Sequence, residues 1–123
     1  MRRAPLIVLT LAWLPGCVTI RTIDDGIERA RFGETVRTGP LTVAPERLIE
    51  DSRCPDKVQC IRAGTVRIVA RIEGREVELE LDRPVNAAGG ALTLAEVYPP
   101  ARTGRLYPDE YRFGFRWQHP RSR

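Results

Sequence analysis

The chain is poor in the residues from which most hydrolytic and metal sites are built. Among 123 residues it has one histidine, His119, two serines, Ser52 and Ser122, and three cysteines. A Ser-His-Asp arrangement has almost no material here, and a zinc site lacks the ligands it would need beyond two cysteines. No metal and no cofactor are therefore expected. The Cys-x-x-C spacing of thioredoxin-type redox sites is absent as well. No apolar run reaches the ~20 residues that cross a bilayer as a helix, and no stretch of helical period is present. Internal repeats and low-complexity tracts are missing. Lysine is almost absent: nineteen of the twenty basic residues are arginine, with Lys57 the exception, a skew we attribute to genome composition.

What the sequence does have begins at its first residues. Arg2 and Arg3 precede an apolar run over 6–14 (LIVLTLAWL), the charged-then-apolar order of a signal peptide. Leu14, Pro15, Gly16 and Cys17 follow at once. This resembles the lipobox of bacterial lipoproteins, in which a small residue precedes a cysteine that is acylated and becomes the new N-terminus. The expected organisation is a lipoprotein signal peptide over 1–16, a lipidated Cys17 (palmitate-type chains) with a tether over 17–33, and a single β domain over 34–123. Val18, rather than aspartate, after the cysteine points to the periplasmic face of the outer membrane. Lipidation also resolves an odd cysteine count, since it leaves Cys54 and Cys60 as a pair. The formal charge is +4. Without Arg2 and Arg3 it falls to eighteen basic against sixteen acidic residues, and an envelope protein of that balance is not expected to bind nucleic acid.

Removal of the signal peptide leaves 107 residues, enough for one domain that buries roughly two thirds of its unfolded surface. A first short strand is expected over 34–37. Leu41-Thr42-Val43 and Leu48-Ile49 read as short strands separated by a turn at Ala44-Pro45-Glu46. The clearest pattern runs from 65 to 81. Val66, Ile68, Ala70 and Ile72 alternate with Arg67, Val69 and Arg71, and beyond Glu73-Gly74 the residues Val77, Leu79 and Leu81 alternate with glutamates. A two-residue turn there pairs Ile72 with Arg75, Ile68 with Leu79, Arg71 with Glu76 and Arg67 with Glu80. A loop one residue longer would set Ile68 against Glu80, so the pattern selects its own register. Residues 86–90 read as a turn, 91–97 as a strand carrying Leu92 and Leu94 on one side, and 107–110 as another turn. In the last strand Tyr111, Phe113, Phe115 and Trp117 alternate with Arg112, Gly114 and Arg116, which predicts a largely aromatic core face. The fold expected is all-β: a small antiparallel sandwich or barrel with one short-loop disulfide.

That disulfide lies in the most distinctive segment, residues 51–64. Cys54 and Cys60, five residues apart in an oxidising compartment, are expected to bond, with a chain-entropy gain of roughly 2 kcal/mol for so short a loop. The residues Ser52, Arg53, Cys54, Pro55, Val58, Cys60, Ile61, Ala63 and Gly64 spell a cysteine motif that resembles an uncharacterised family of small exported bacterial proteins and lipoproteins. Tyr98-Pro99 and residues 108–111 fit the closing strands of the same family, so the likeness covers residues 41–117. It implies a compact extracytoplasmic domain and supplies no activity.

The function expected is that of a lipid-anchored envelope protein, not an enzyme, with a structural or ligand-binding role. Its partners would be the membrane, through the anchor, and an envelope protein or glycan. The alternative is an inhibitor or partner-binding module that presents the disulfide-clamped loop 53–62, whose contact residues would be Arg53, Asp56, Lys57, Gln59 and Arg62; a rigid loop loses less entropy on docking. A third reading is an atypical envelope enzyme, for which adjacent acids such as Asp109 and Glu110 are the weak material available. Arg112, Arg116, Arg121 and Arg123 form an acid-free C-terminal stretch that reads most simply as a solvated basic end. A polar cleft with perturbed acids would favour the enzyme, and a protruding loop the binding module.

Overall fold

The computed structural model describes residues 16, 24–55 and 58–120. The signal peptide up to residue 15, Cys17, Asp56, Lys57, Arg121 and Arg123 lie outside them. Eight strands occur among the described residues: β1 (Glu28–Ala30), β2 (Val36–Thr38), β3 (Leu41–Asp51), β4 (Val66–Ile72), β5 (Arg75–Glu80), β6 (Val85–Ala87), β7 (Gly90–Tyr98) and β8 (Arg112–Gln118). They form two antiparallel four-stranded sheets, ordered β2-β3-β4-β5 and β1-β8-β7-β6. Followed around the molecule, the strands keep chain order until β8 returns to β1. The fold is thus an up-and-down meander flattened into a sandwich, whose ladders are interrupted at two corners. At one corner an isolated bridge between Leu81 and Leu94 links the sheets.

The β4–β5 hairpin adopts the register its alternation dictates: Ile72 opposite Arg75, Ile68 opposite Leu79, Arg71 opposite Glu76 and Arg67 opposite Glu80. Glu73 and Gly74 have φ of 49° and 78°, the two positive values that a tight hairpin turn requires. Ile68, Leu79, Val66 and Ala70 are fully buried. Their outward neighbours form an arginine–glutamate lattice in which Arg67 reaches Glu50 at 2.9 Å and Glu78 at 2.8 Å, and Arg71 reaches Glu46 at 2.6 Å. Val69 points into this lattice yet is only 6% exposed. Its cross-strand neighbours are Arg47 and Glu78, long side chains whose aliphatic stems shade it. Exposed pairs of this kind add little stability; on β5 they also keep a sheet edge charged and unattractive to other strands.

Two expectations are corrected. The fragments 41–43 and 48–49 belong to one eleven-residue strand, β3, with register shifts between Pro45 and Arg47 and between Leu48 and Glu50. The proline is tolerated for a directional reason. Its carbonyl accepts from the Gly33 N–H at 2.9 Å on the side away from β4, and the missing N–H would have pointed that same way, so the β3–β4 ladder loses no donor. The second correction concerns the tether. Residues 28–30 form β1 and pair with β8, Ala30 opposite Phe113, and Phe32 packs edge-on against Phe113 at 4.8 Å between centroids. With one buried residue in a three-residue strand there is no alternation to read.

The core between the sheets is aromatic, as the last strand predicts. Tyr111, Phe113 and Phe115 are buried, Tyr111 and Phe113 stack at 5.6 Å, and Trp117 closes the far end, donating Nε1–H to the Ala87 carbonyl at 3.0 Å. A Cβ at Gly39 would lie 2.7 Å from the Trp117 ring, so that position has to stay bare.

Candidate functional site

The residues singled out around the cysteines converge with those near 98 and 111. Asp51, the last residue of β3, and Arg53 form a bidentate pair, with Nε and Nη2 each 2.9 Å from a carboxylate oxygen. Tyr111 donates its hydroxyl to the second of those oxygens at 2.8 Å. The remaining guanidinium nitrogen, Nη1, donates to the carbonyls of Val97 at 3.2 Å and Pro99 at 3.0 Å. One arginine thereby ties the end of β3 to the end of β7 and, through Asp51, to the entry of β8. The Asp51 and Arg53 side chains are 12% and 13% exposed.

Below the clamp the cysteine loop is stapled at its root. Ser52 N–H donates to the Thr65 carbonyl at 2.8 Å, and its hydroxyl accepts from Thr65 N–H at 3.0 Å. Gly64 lies so close to the Ser52 carbonyl that any Cβ would overlap it. Cys54 and Cys60 are bonded, with Cα atoms 6.0 Å apart. The Ser52, Arg53, Cys54 and Gly64 of the motif therefore have identifiable structural tasks.

Electrostatics follow from this geometry. Burial alone would push the Asp51 carboxyl up, but the hydrogen bonds from Arg53 and Tyr111 outweigh it and hold the group below its ordinary range. Burial, and then the bond to Asp51, push the Tyr111 hydroxyl up to about 12. Neither group changes protonation near neutral pH, so the pair is suited to holding structure and not to moving protons.

Tyr111 also lines a cleft of about 460 Å³ at the open end between the sheets, together with Phe32, Leu48, Leu106 and Pro108. Glu46, Arg47 and Arg105 line it too, with Glu46 paired to Arg71 and Arg47 to Glu76. The loop forming one wall is fixed by Glu110, which accepts from Tyr107 N–H at 2.7 Å and from Arg102 at 2.7 Å; these two bonds, in that order, keep its carboxyl below the usual range. No family model, curated protein or solved structure matches this chain. Among the described residues no group of three or more His, Cys, Asp or Glu is placed to hold a metal ion.

Of the five loop residues expected to meet a partner, Asp56 and Lys57 lie outside the described residues, and Gln59 and Arg62 are exposed. Arg53 is turned inward, its guanidinium committed to the clamp, so it is not available on the loop surface. Sequence reasoning passed over two others. Ile61 is 102% exposed and Val58 43%, apolar side chains on a loop where charge and polarity had drawn the eye. The cleft was missed as well, because its walls come from four separate segments. The available signal was the pair Leu48-Ile49, which has no place in a simple inward-outward alternation.

Proposed function

We propose that the protein is a lipid-anchored component of the bacterial envelope, acylated at Cys17 and held on the periplasmic face of the outer membrane, that binds a ligand without transforming it. The observation carrying the binding role is the cleft. Its volume lies in the range of small-molecule sites, its walls are mostly apolar, and the mouth of a flattened barrel is a place where such sites recur. Phe32, Leu48 and Leu106 suit an apolar body, and Arg105, which has no acidic partner within ion-pair distance among the described residues, suits an anionic end, so the ligand class is a small anionic amphiphile.

Two measurements test this. In membrane fractionation at high salt, which screens surface charge, Cys17→Ser is expected to move the protein from the membrane to the soluble fraction; equal distribution of wild type and variant would end the anchor reading. Anilinonaphthalene sulfonate, an apolar body with an anionic group, is expected to bind the folded protein at one site, and Leu48→Glu to remove that site without lowering the melting temperature. Unchanged dye binding by the folded variant would take the cleft out of the account.

The loop reading keeps one observation of its own, the exposed Val58 inside the disulfide-closed loop and the exposed Ile61 directly after it. Ile61→Asp is expected to leave stability within about 0.5 kcal/mol, as exposed substitutions do, while removing envelope proteins recovered with wild type after cross-linking. Recovery of the same proteins by both would assign the loop to structure alone.

A further inference from the structure

The two outer faces of the sandwich differ in charge. On the β2-β3-β4-β5 sheet Arg47, Arg67 and Arg71 meet Glu46, Glu50, Glu76, Glu78 and Glu80, and each of these arginines holds a glutamate. The outer face of the other sheet is arranged differently. Arg29 is occupied, bridging Asp25 at 2.7 Å and Glu96 at 3.1 Å across Gly114. Arg112 and Arg116 point outward from β8, four residues apart and so about 13 Å along the strand. Arg31 shares a shallow groove with Arg112 and Glu34, and with Tyr98 and Arg112 it lines a second that also holds Asp109 and Glu110, the latter paired to Arg102. Arg31, Arg112 and Arg116 have no acidic partner within ion-pair distance among the described residues. Tyr98, 53% exposed, stands opposite Arg112 in the register. Arginine with an exposed tyrosine is the composition of a membrane-contacting surface, where the ring settles at headgroup depth.

We infer that the face bearing Arg31, Arg112, Arg116 and Tyr98 docks on an anionic phospholipid surface. The inference deepens the anchor reading and rests on it for orientation. β1, the described strand nearest Cys17, lies beside β8 in this sheet. Ten residues lie between Cys17 and Glu28, a chain length that spans at most about 40 Å, enough to let the sheet lie flat on the surface holding the lipid. The acidic face would then point away from the membrane, with the cleft mouth at the side.

Vesicle partition of the mature chain over 17–123 carrying Cys17→Ser, which has neither the apolar leader segment nor an acyl group, tests the face independently of the anchor. Binding is expected to vesicles of phosphatidylcholine mixed with phosphatidylglycerol, to weaken as salt rises, and to be slight with phosphatidylcholine alone. Adding Arg31→Gln, Arg112→Gln and Arg116→Gln together should weaken it on the order of a hundredfold. The control, Arg37→Gln, Arg75→Gln and Arg83→Gln together, removes the same charge elsewhere and should leave most of the binding in place. Equal binding to both vesicle types, or equal losses in the two triple variants, would overturn the proposal. Fractionation of Cys17→Ser at high salt, where the charged face is screened, reports on the anchor alone, so either idea can fail without the other.

Discussion

Phe113→Ala and Phe115→Ala will each destabilise the domain by about 3–5 kcal/mol, the usual cost of emptying a buried aromatic site. Both rings are fully buried, and their strand lies at the centre of its sheet, between β1 and β7, so neither sheet can close the void without dragging a neighbour. Phe113 has the more to lose, because it stacks on Tyr111 and meets the Phe32 edge. For a domain near 100 residues this corresponds to a fall of at least about 12 °C in melting temperature. Arg112→Ala, on the same strand but facing outward, is expected to shift it by less than about 0.5 kcal/mol. Thermal melts of the three variants decide the matter. Phenylalanine variants that melt like wild type would mean that the aromatic face is not the core.

That face was legible in the sequence because period two survives wherever a strand is long and one side is dry. The β4–β5 hairpin and β8 both meet this condition, and their registers follow from alternation alone. Legibility fails where tertiary context supplies what the local pattern does not. Pro45 reads as a turn, and only the direction of its carbonyl shows why a strand can run through it. β1 buries a single alanine and is held by its partner β8, so nothing in residues 28–30 announces it. The site was less legible again. Spacing indicated the Cys54–Cys60 bond, but the partners of Arg53 lie 44 and 46 residues away at Val97 and Pro99, a distance at which a single sequence carries no signal. An arginine beside a cysteine loop then looks like a surface contact until the fold turns it inward.

The Arg53 clamp yields the second large effect. Arg53→Ala removes both guanidinium hydrogen bonds to Asp51 and strands the carbonyls of Val97 and Pro99, leaving a carboxylate that is 12% exposed with only the Tyr111 hydroxyl and the backbone N–H of residue 53 as partners. Breaking such a pair from one side is expected to cost about 3 kcal/mol, mostly because the surviving charge stays desolvated. Tyr111→Phe deletes one hydrogen bond and keeps the ring, so about 1 kcal/mol is expected. Removing both charges with Arg53→Met and Asp51→Leu should recover part of the single-variant loss, since no uncompensated ion remains. The pH dependence carries the same signature. The folded Asp51 titrates below its unfolded value, so its contribution is in place above pH ~4, the ordinary aspartate range, and is lost as pH falls through the folded pKa. The Tyr111 hydroxyl, raised to about 12, contributes below pH ~10, the ordinary tyrosine range, and is lost as pH rises toward that value. Denaturant titrations across pH should therefore show wild type losing stability at both extremes, with the Asp51→Leu, Arg53→Met variant flatter on the acid side. A double variant as acid-sensitive as wild type would show that other carboxylates, such as Glu110, govern acid stability. The clamp also fixes Tyr111 in the cleft wall, so Arg53→Ala is expected to weaken dye binding at the cleft even at temperatures where the variant is still folded.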